Sequence, residues 1–179
     1  MTTAREAPIL VRAATAADRS TAMAFISPAT ARGRASLVLL RAGQGLLWVA
    51  VERDQEEHHE TGNDEKLVGL LLATVQIDSD TETPTGYIHE LLVHPAYRRR
   101  GVAMHLLDAA ERFFLEEQRF PLVSLATSPD NEAALRLYRS RGYTVYQVRL
   151  SKRLPDATSA SPGDAVSSPA SSEQTFKPS

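Results

Sequence analysis

The pattern of apolar and polar positions changes its period along the chain, and each period predicts one kind of element. Apolar residues that alternate with polar ones, or that follow one another over a short run, predict strands. Such runs lie at residues 9–13, 46–52, 67–77, 87–93, 122–126 and 143–150. A spacing of three or four predicts helices, and it occurs at residues 18–26, 99–118 and 131–140. Residues 30–41 favour a further helix, although residues 37–40 fit a strand equally well.

The order of these elements predicts an α/β fold with a mixed sheet. Polar residues 53–66, between the second and third strands, predict a hairpin with a long tip. A chain of 179 residues is expected to form one domain. Its last part, residues 155–179, contains seven Ser, four Pro and four Ala, a composition that predicts a disordered tail. The folded domain is therefore expected within residues 1–154.

The composition excludes several kinds of functional site and several classes of protein. Cysteine is absent, which excludes disulfides, thiolate metal ligands and a cysteine nucleophile. Among the histidines, His58 and His59 are adjacent in a polar stretch and lack the spacing of metal ligands, so no metal site is expected. No apolar run approaches the ~20 residues that span a bilayer, and residues 1–17 lack a secretory pattern. A cytoplasmic protein that does not bind membranes is expected.

Charge is divided between two parts of the chain. Residues 1–97 hold 8 Lys and Arg against 13 Asp and Glu, whereas residues 98–153 hold 11 against 6. A protein that binds a nucleic-acid backbone tends to be basic as a whole, so nucleic acid is not an expected partner. The division suits an anionic cofactor on the basic part and a cationic substrate on the acidic part. The acidic stretch 52–65 predicts a solvated hairpin tip or, alternatively, a lip that attracts a cationic amine.

The strongest chemical feature is the segment that leads from the fourth predicted strand into the long helix. It reads Val-His-Pro-Ala-Tyr-Arg-Arg-Arg-Gly-Val-Ala at residues 93–103. A helix start leaves about four backbone N–H groups without partners and carries partial positive charge. Gly101 and Ala103 have little or no side chain, so a diphosphate can approach these amides closely. The segment has neither the glycine pattern of a dinucleotide-binding fold nor a P-loop.

Three segments of the chain resemble one known family. Residues 98–103 match the Q/R-x-x-G-x-G/A motif of the GCN5-related N-acetyltransferases, the GNAT superfamily. Residues 90–95, Glu-Leu-Leu-Val-His-Pro, are similar to that family's fourth strand. Residues 131–143 resemble its N-x-x-A-x-x-L-Y-x-x-x-G-F/Y segment, with Asn131, Tyr138 and Gly142 at the matching positions. Because the segments occur in the family's order and separation, the resemblance covers about residues 67–150.

The resemblance implies a GNAT-like mixed, mostly antiparallel sheet of six to seven strands flanked by about four helices. It also implies acetyl-CoA as co-substrate, with no metal. The pantetheine arm would enter where the fourth and fifth strands splay apart and pair as an added strand, and a backbone N–H there would stabilise the oxyanion. The residues implied to bind the cofactor are Arg98, Arg99, Arg100, Gly101, Val102 and Ala103 for the pyrophosphate, Leu91, Leu92 and Val93 for the arm, and Asn131 and Tyr138.

Direct attack by an amine requires a base, because a primary amine with a pKa near ~10 is protonated at neutral pH. Glu90 is the best-placed carboxylate for this role, alone or through water. Tyr138, which matches the family's tyrosine, would protonate the departing CoA thiolate. His89 is the alternative base. Since neighbours in a strand point to opposite faces, at most one of His89 and Glu90 is expected to face the substrate.

The chain departs from the family pattern in the region that shapes the acceptor site. Members that act on protein N-termini often place a glutamate on the fifth strand, where this chain has Ala126. The favoured acceptor is a small cationic molecule with a primary amine, and a protein lysine or N-terminus is the alternative. A non-catalytic acyl-CoA-binding module is the competing class. One strand, at residues 143–150, is predicted where many members have a hairpin, and a monomer or homodimer is expected.

Overall fold

The computed structural model of this protein describes residues 7–53, 65–148 and 150–152. Its strands are β1 (Ile9–Ala13), β2 (Leu46–Arg53), β3 (Glu65–Ile77), β4 (Pro84–Val93) and β5 (Val123–Leu125). Its helices are α1 (Asp18–Phe25), α2 (Ala31–Ala42), α3 (Val102–Arg112) and α4 (Glu132–Ser140). A 3-10 turn at Pro95–Tyr97 precedes α3, and a π-helical turn at Phe113–Glu117 follows it. Within the described residues, no helix combines the length and the apolar character that a bilayer span requires.

The five strands form one sheet in the order β1-β2-β3-β4-β5. Neighbouring strands run antiparallel except for β4 and β5, which are parallel. The predicted mixed, mostly antiparallel sheet with about four helices is confirmed, and residues 30–41 are helical rather than extended. The described sheet has five strands, fewer than the six to seven that the resemblance implies.

The predicted final strand at residues 143–150 is wrong. Residues 143–148 and 150 contain neither helix nor strand, and Val145, Val148 and Leu150 are exposed. Alternating apolar residues mark a segment that can form a strand, but a strand is stabilised only by hydrogen bonds to a neighbour. The segment belongs to a unit of its own, Tyr143–Ser179, and every helix and strand listed above lies in the other unit, Met1–Gly142. The acidic residues 54–64, with His58 and His59, and the predicted tail lie outside the described residues.

The sheet is covered on both faces because successive residues of β3 point to opposite sides. On one side Leu71 and Ala73 pack in a core with the apolar face of α3. On the other side Leu70 and Leu72 pack in a second core that α1 and α2 complete. Strand β4 therefore lies between α2 and α3, and the turn after it leads directly into α3.

Candidate active site

The turn between β4 and α3 has the backbone that an anion-binding site requires. Arg99 and Gly101 adopt left-handed conformations, with φ of 65° and 79°. Gly101 is the N-cap of α3 and makes no side-chain hydrogen bond to the helix start, so the first N–H groups of α3 remain available to a ligand. The helix dipole and the exposed side chains of Arg98 and Arg99 add positive charge. This geometry fits a diphosphate.

Tyr97 connects this turn to the neighbouring strands. Its hydroxyl donates a short hydrogen bond to Oε2 of Glu52 in β2, and its ring is buried. The guanidinium of Arg100 lies 5.0 Å from the ring centroid, and the ammonium of Lys66 lies 5.4 Å from it. Because a fixed aromatic face attracts cations, Tyr97 holds positive charge beside the turn.

Strands β4 and β5 pair over three residues only, from Gly86 to Ile88 of β4. Beyond this point Leu91, Leu92 and Val93 pair with β3 on one side. No strand of the described part of the chain pairs with them on the other side. The open edge offers backbone donors and acceptors to an extended ligand, and it begins next to the turn described above.

A β-bulge in β4 sets the orientation of the two candidate bases. Glu90 pairs with Leu72 of β3 and Ile88 pairs with Ala73. The backbone of His89 is therefore an extra residue in the register, with no opposite residue on β3. An extra residue interrupts the alternation of side chains along a strand. The prediction that His89 and Glu90 point to opposite faces is wrong for this reason.

Both side chains lie on the side of the sheet that α2 covers. The hydroxyl of Ser36 in α2 donates to Oε1 of Glu90 at 2.9 Å, and both residues are buried. Nε2 of His89 lies 2.8 Å from the hydroxyl of Thr74, which by alternation is on the α2 side of β3. Burial, and to a smaller extent the positive charge of Arg32, lowers the pKa of His89. Its imidazole is therefore neutral near pH 7 and can accept a proton.

Helix α4 carries the other two predicted residues. Asn131 is its N-cap, and Oδ1 of Asn131 accepts a hydrogen bond from the N–H of Ala134 at 3.2 Å. Tyr138, two turns later, packs partly buried against the core on the α3 side. Burial raises the pKa of Tyr138; the charge of Arg32 opposes this shift and that of Glu90 adds to it. The phenol is protonated at neutral pH and lies within electrostatic reach of both charges.

Arg141 fastens the end of α4 to α3. Its guanidinium lies 2.5 Å from Oδ1 of Asp108 and 2.6 Å from Oε2 of Glu111, and these contacts raise the pKa of Arg141 above its usual range. Such paired, charge-assisted hydrogen bonds restrict the relative orientation of two helices. The helix that begins at the turn and the helix that carries Tyr138 are thus held together.

Comparison with known proteins identifies the family. The Acetyltransferase (GNAT) family profile matches residues 30–143, a range that includes the turn, the bulge and Tyr138. The chain belongs to the GNAT acetyltransferase family.

Individual relatives agree with this membership. The N-alpha-acetyltransferase daf-31 of Caenorhabditis elegans is 36% identical over 95 residues, which are 53% of this chain and 49% of the worm protein. The matched region therefore spans about half the length of this curated relative. The aminoglycoside N-acetyltransferase AAC(6')-Iy in complex with CoA aligns over 86% of this chain and 99% of its own, with a TM-score of 0.64 and 18% identity.

A second solved structure has the same fold. The ribosomal-protein-alanine N-acetyltransferase from Brucella melitensis biovar Abortus 2308 aligns over 82% of this chain and 100% of its own, with a TM-score of 0.60 and 17% identity. At such identities the likeness shows the fold alone. The neighbours therefore support the fold of this GNAT acetyltransferase, whereas the open edge of β4 and the turn before α3 are known from the residues of this chain itself.

Most of the predicted site residues of this GNAT chain lie at the end of β4 or in the segment that leads from β4 into α3. The turn residues 98–103 follow its C-terminal end, and Leu91, Leu92 and Val93 form its open edge. Glu90 lies next to this edge and influences the pKa of Tyr138. The side-chain oxygen of Asn131 is engaged at the start of α4, so only its amide nitrogen retains donors for a ligand.

Sequence reasoning missed Ser36, Thr74 and Arg32. Ser36 contacts Glu90, Thr74 contacts His89, and the charge of Arg32 affects the pKa of His89. The partners are distant in sequence; Ser36 and Glu90, for example, are 54 positions apart. One signal was present: Ser36 lies on the buried face of α2 with Gly33, Leu37 and Leu40. A buried hydroxyl requires a hydrogen-bond partner, so its position indicated a polar group on the covered strand.

Tyr97→Phe removes the hydroxyl that donates to Glu52 and keeps the ring under Arg100 and Lys66. We expect the free energy of unfolding to fall by about 1 kcal/mol, the net worth of one hydrogen bond. The Kd for CoA should rise by about threefold, since the turn loses an anchor but keeps its backbone. Urea unfolding and calorimetry measure the two effects. Unchanged values of both would show that this hydrogen bond does not anchor the turn.

Proposed function

We propose that this protein transfers an acetyl group from acetyl-CoA to a primary amine of a small molecule, by direct attack in a ternary complex. One observation carries the proposal: the helix start at Gly101, which no side chain caps, follows the open edge of β4, and Glu90 beside that edge affects the pKa of Tyr138. Acetyl-CoA supplies the activated thioester. The chain supplies the binding groups, the base and the acid.

Backbone groups provide most of the binding. The amides of the turn residues 98–103 hold the pyrophosphate at the start of α3. The main chain of Leu91, Leu92 and Val93 pairs with the pantetheine arm as an added strand. An N–H of this edge polarises the thioester carbonyl and stabilises the charge that develops on its oxygen. The side-chain amide of Asn131 donates a further hydrogen bond to the arm.

Two side chains move the protons. Glu90, held by Ser36 at 2.9 Å, takes the proton from the acceptor ammonium, directly or through water. The bulge brings His89 to the same side, where its neutral imidazole is the second candidate base. Tyr138 stays protonated because burial raises its pKa, and it donates its proton to the departing thiolate. No covalent enzyme intermediate is needed, which agrees with the absence of cysteine.

The acceptor is proposed to be a small molecule that is cationic before transfer, because the first half of the chain is acidic. A protein N-terminus is the second candidate, favoured by the 36% identity to a worm N-alpha-acetyltransferase. Ala126, in place of the glutamate that N-terminal acetyltransferases often have on the fifth strand, favours the small molecule.

A panel of acceptors tests the proposal. The protein is mixed with acetyl-CoA and with small primary amines, a peptide with a free N-terminus, or an N-blocked peptide with one lysine, and released CoA is followed with a thiol reagent. We expect release at least about tenfold above the rate without acceptor, with the highest kcat/KM for a small amine. Preference for the peptide with a free N-terminus favours the second candidate, and preference for the N-blocked peptide favours a protein lysine instead. CoA binding without release for any amine contradicts the proposal and indicates a binding module.

A further inference from the structure

Arg32 lies in the first turn of α2, and its side chain is exposed. Ser36 follows it by four residues, and side chains four apart share one face of a helix. The hydroxyl of Ser36 reaches Oε1 of Glu90 at 2.9 Å, so this face of α2 adjoins the candidate base. Burial lowers the pKa of His89 and the positive charge of Arg32 adds to this shift, whereas at Tyr138 burial raises the pKa and the charge of Arg32 opposes the rise. The charge of this guanidinium on α2 thus influences the pKa of His89 in β4 and that of Tyr138 in α4.

Arg32 differs from the arginines that support the fold. Arg12 and Arg141 each contact two carboxylates, and Arg34 contacts backbone carbonyls before α2. Arg32 is exposed, and no carboxylate in the part of the chain that the structure describes forms an ion pair with it. An accessible guanidinium beside acid–base groups favours a bound carboxylate, which it can contact through two parallel hydrogen bonds.

The described residues that line the groove beside His89 offer no counter-charge to a second cationic group. The groove encloses about 540 Å³, and apart from His89 its lining side chains are apolar, amide or hydroxyl in character, including Gln44, Thr74 and Gln76. A polycationic acceptor that placed a second ammonium in this groove would lie near His89, which the positive charge of Arg32 reaches. Like charges repel and unpaired charges are costly to desolvate, so such an acceptor is disfavoured.

We propose that Arg32 binds a carboxylate of the acceptor, so that the substrate is a small molecule with both a primary amine and a carboxylate, such as an amino acid. This inference rests on the proposed function and narrows its acceptor class. The ammonium of the acceptor approaches Glu90 while its carboxylate meets Arg32. The acceptor ammonium first gives one proton to Glu90, and the free amine then forms the N–C bond as the C–S bond breaks. The CoA thiolate takes the proton of Tyr138, and the second amine proton, lost as the amide forms, restores the phenol.

Matched acceptors test the inference with the full-length protein. Phenylalanine, methionine and lysine are each compared with their carboxamide and with their decarboxylated amine, by kcat/KM from CoA release. For at least one of the three we expect the amino acid to exceed both analogues about tenfold or more, the worth of a charge-assisted hydrogen bond. Arg32→Gln should reduce this ratio to about one, and Arg32→Lys should keep part of it because the charge remains without the fork.

Arg41→Gln is the matched control, since Arg41 lies in the last turn of the same helix; it should leave the ratio unchanged. Thermal stabilisation by CoA confirms that each variant is folded. Two outcomes overturn the inference and leave the proposed function unaffected: turnover of amines without a preference for those that carry a carboxylate, and a preference that Arg32→Gln does not change. A protein that binds CoA and acetylates no amine or peptide overturns both.

Discussion

Gly101→Val will weaken CoA binding by about 100-fold or more, because the helix start loses the close approach that a diphosphate needs. The backbone at Gly101 has a φ of 79°, a conformation that a β-branched residue rarely adopts. A valine there either distorts the turn or places its methyl groups beside the first amides of α3. Calorimetric titration of the purified protein with CoA measures the change in Kd.

Gly43→Val is the control for backbone strain. Gly43 ends α2 with a φ of 71°, so a side chain there is strained to a similar degree at a position remote from the turn. Both variants should lose roughly 1–2 kcal/mol of unfolding free energy, the usual cost of a left-handed L-residue. Only Gly101→Val should lose affinity for CoA. An equal loss of CoA affinity in both variants would indicate general destabilisation. Normal CoA binding by Gly101→Val would show that the diphosphate site lies elsewhere.

Tyr138→Phe will lower kcat by about 100-fold, since general acid catalysis contributes 10²–10⁴-fold, and will leave the Kd for CoA nearly unchanged. The phenol hydroxyl is lost while the ring that packs against the core remains. Single-turnover release of CoA with a saturating amine measures the chemical step. Tyr97→Phe is the matched comparison, because it should change CoA affinity with little effect on kcat.

The pH profile gives a second test of Tyr138. A general acid works only when protonated, and burial raises the pKa of Tyr138 above its ordinary value of 10. The wild-type rate should therefore stay level through neutral and moderately alkaline pH and fall only above the raised pKa. Tyr138→Phe should lack this alkaline decline. A variant with the wild-type rate and the wild-type decline would exclude the tyrosine as the acid.

Elements with a strong local period could be predicted from the sequence. The spacing of Val102, Leu106 and Ala110 predicts an amphipathic α3, and all three are buried. The end of α2 at Gly43 and the turn at Gly101 follow from glycines that tolerate a positive φ. The segment at residues 143–150 has a comparable alternation, yet its described residues, 143–148 and 150, form no strand, because pairing depends on a neighbour that alternation does not specify.

The environment of the candidate site was less predictable than its residues. Glu90 and Tyr138 stand out in the sequence through motif positions, yet Glu90 is contacted by Ser36 of α2, a helix that carries no motif. The bulge at His89 has no mark in the sequence of β4, because it arises from the register with β3. It reverses the expected orientation of one of the two candidate bases, so that both lie on the same side of the sheet.

The amino-acid sequence alone was sufficient for the order of elements as far as α4, for the position of the glycine turn before α3 and for the resemblance to an acetyltransferase family, since each depends on neighbours within a few residues. The contact of Ser36 with Glu90, the shared side of His89 and Glu90, and the position of Arg32 beside them required the folded chain. These features depend on strand register and helix packing between residues far apart in sequence, and many distant pairs are compatible with the same local pattern.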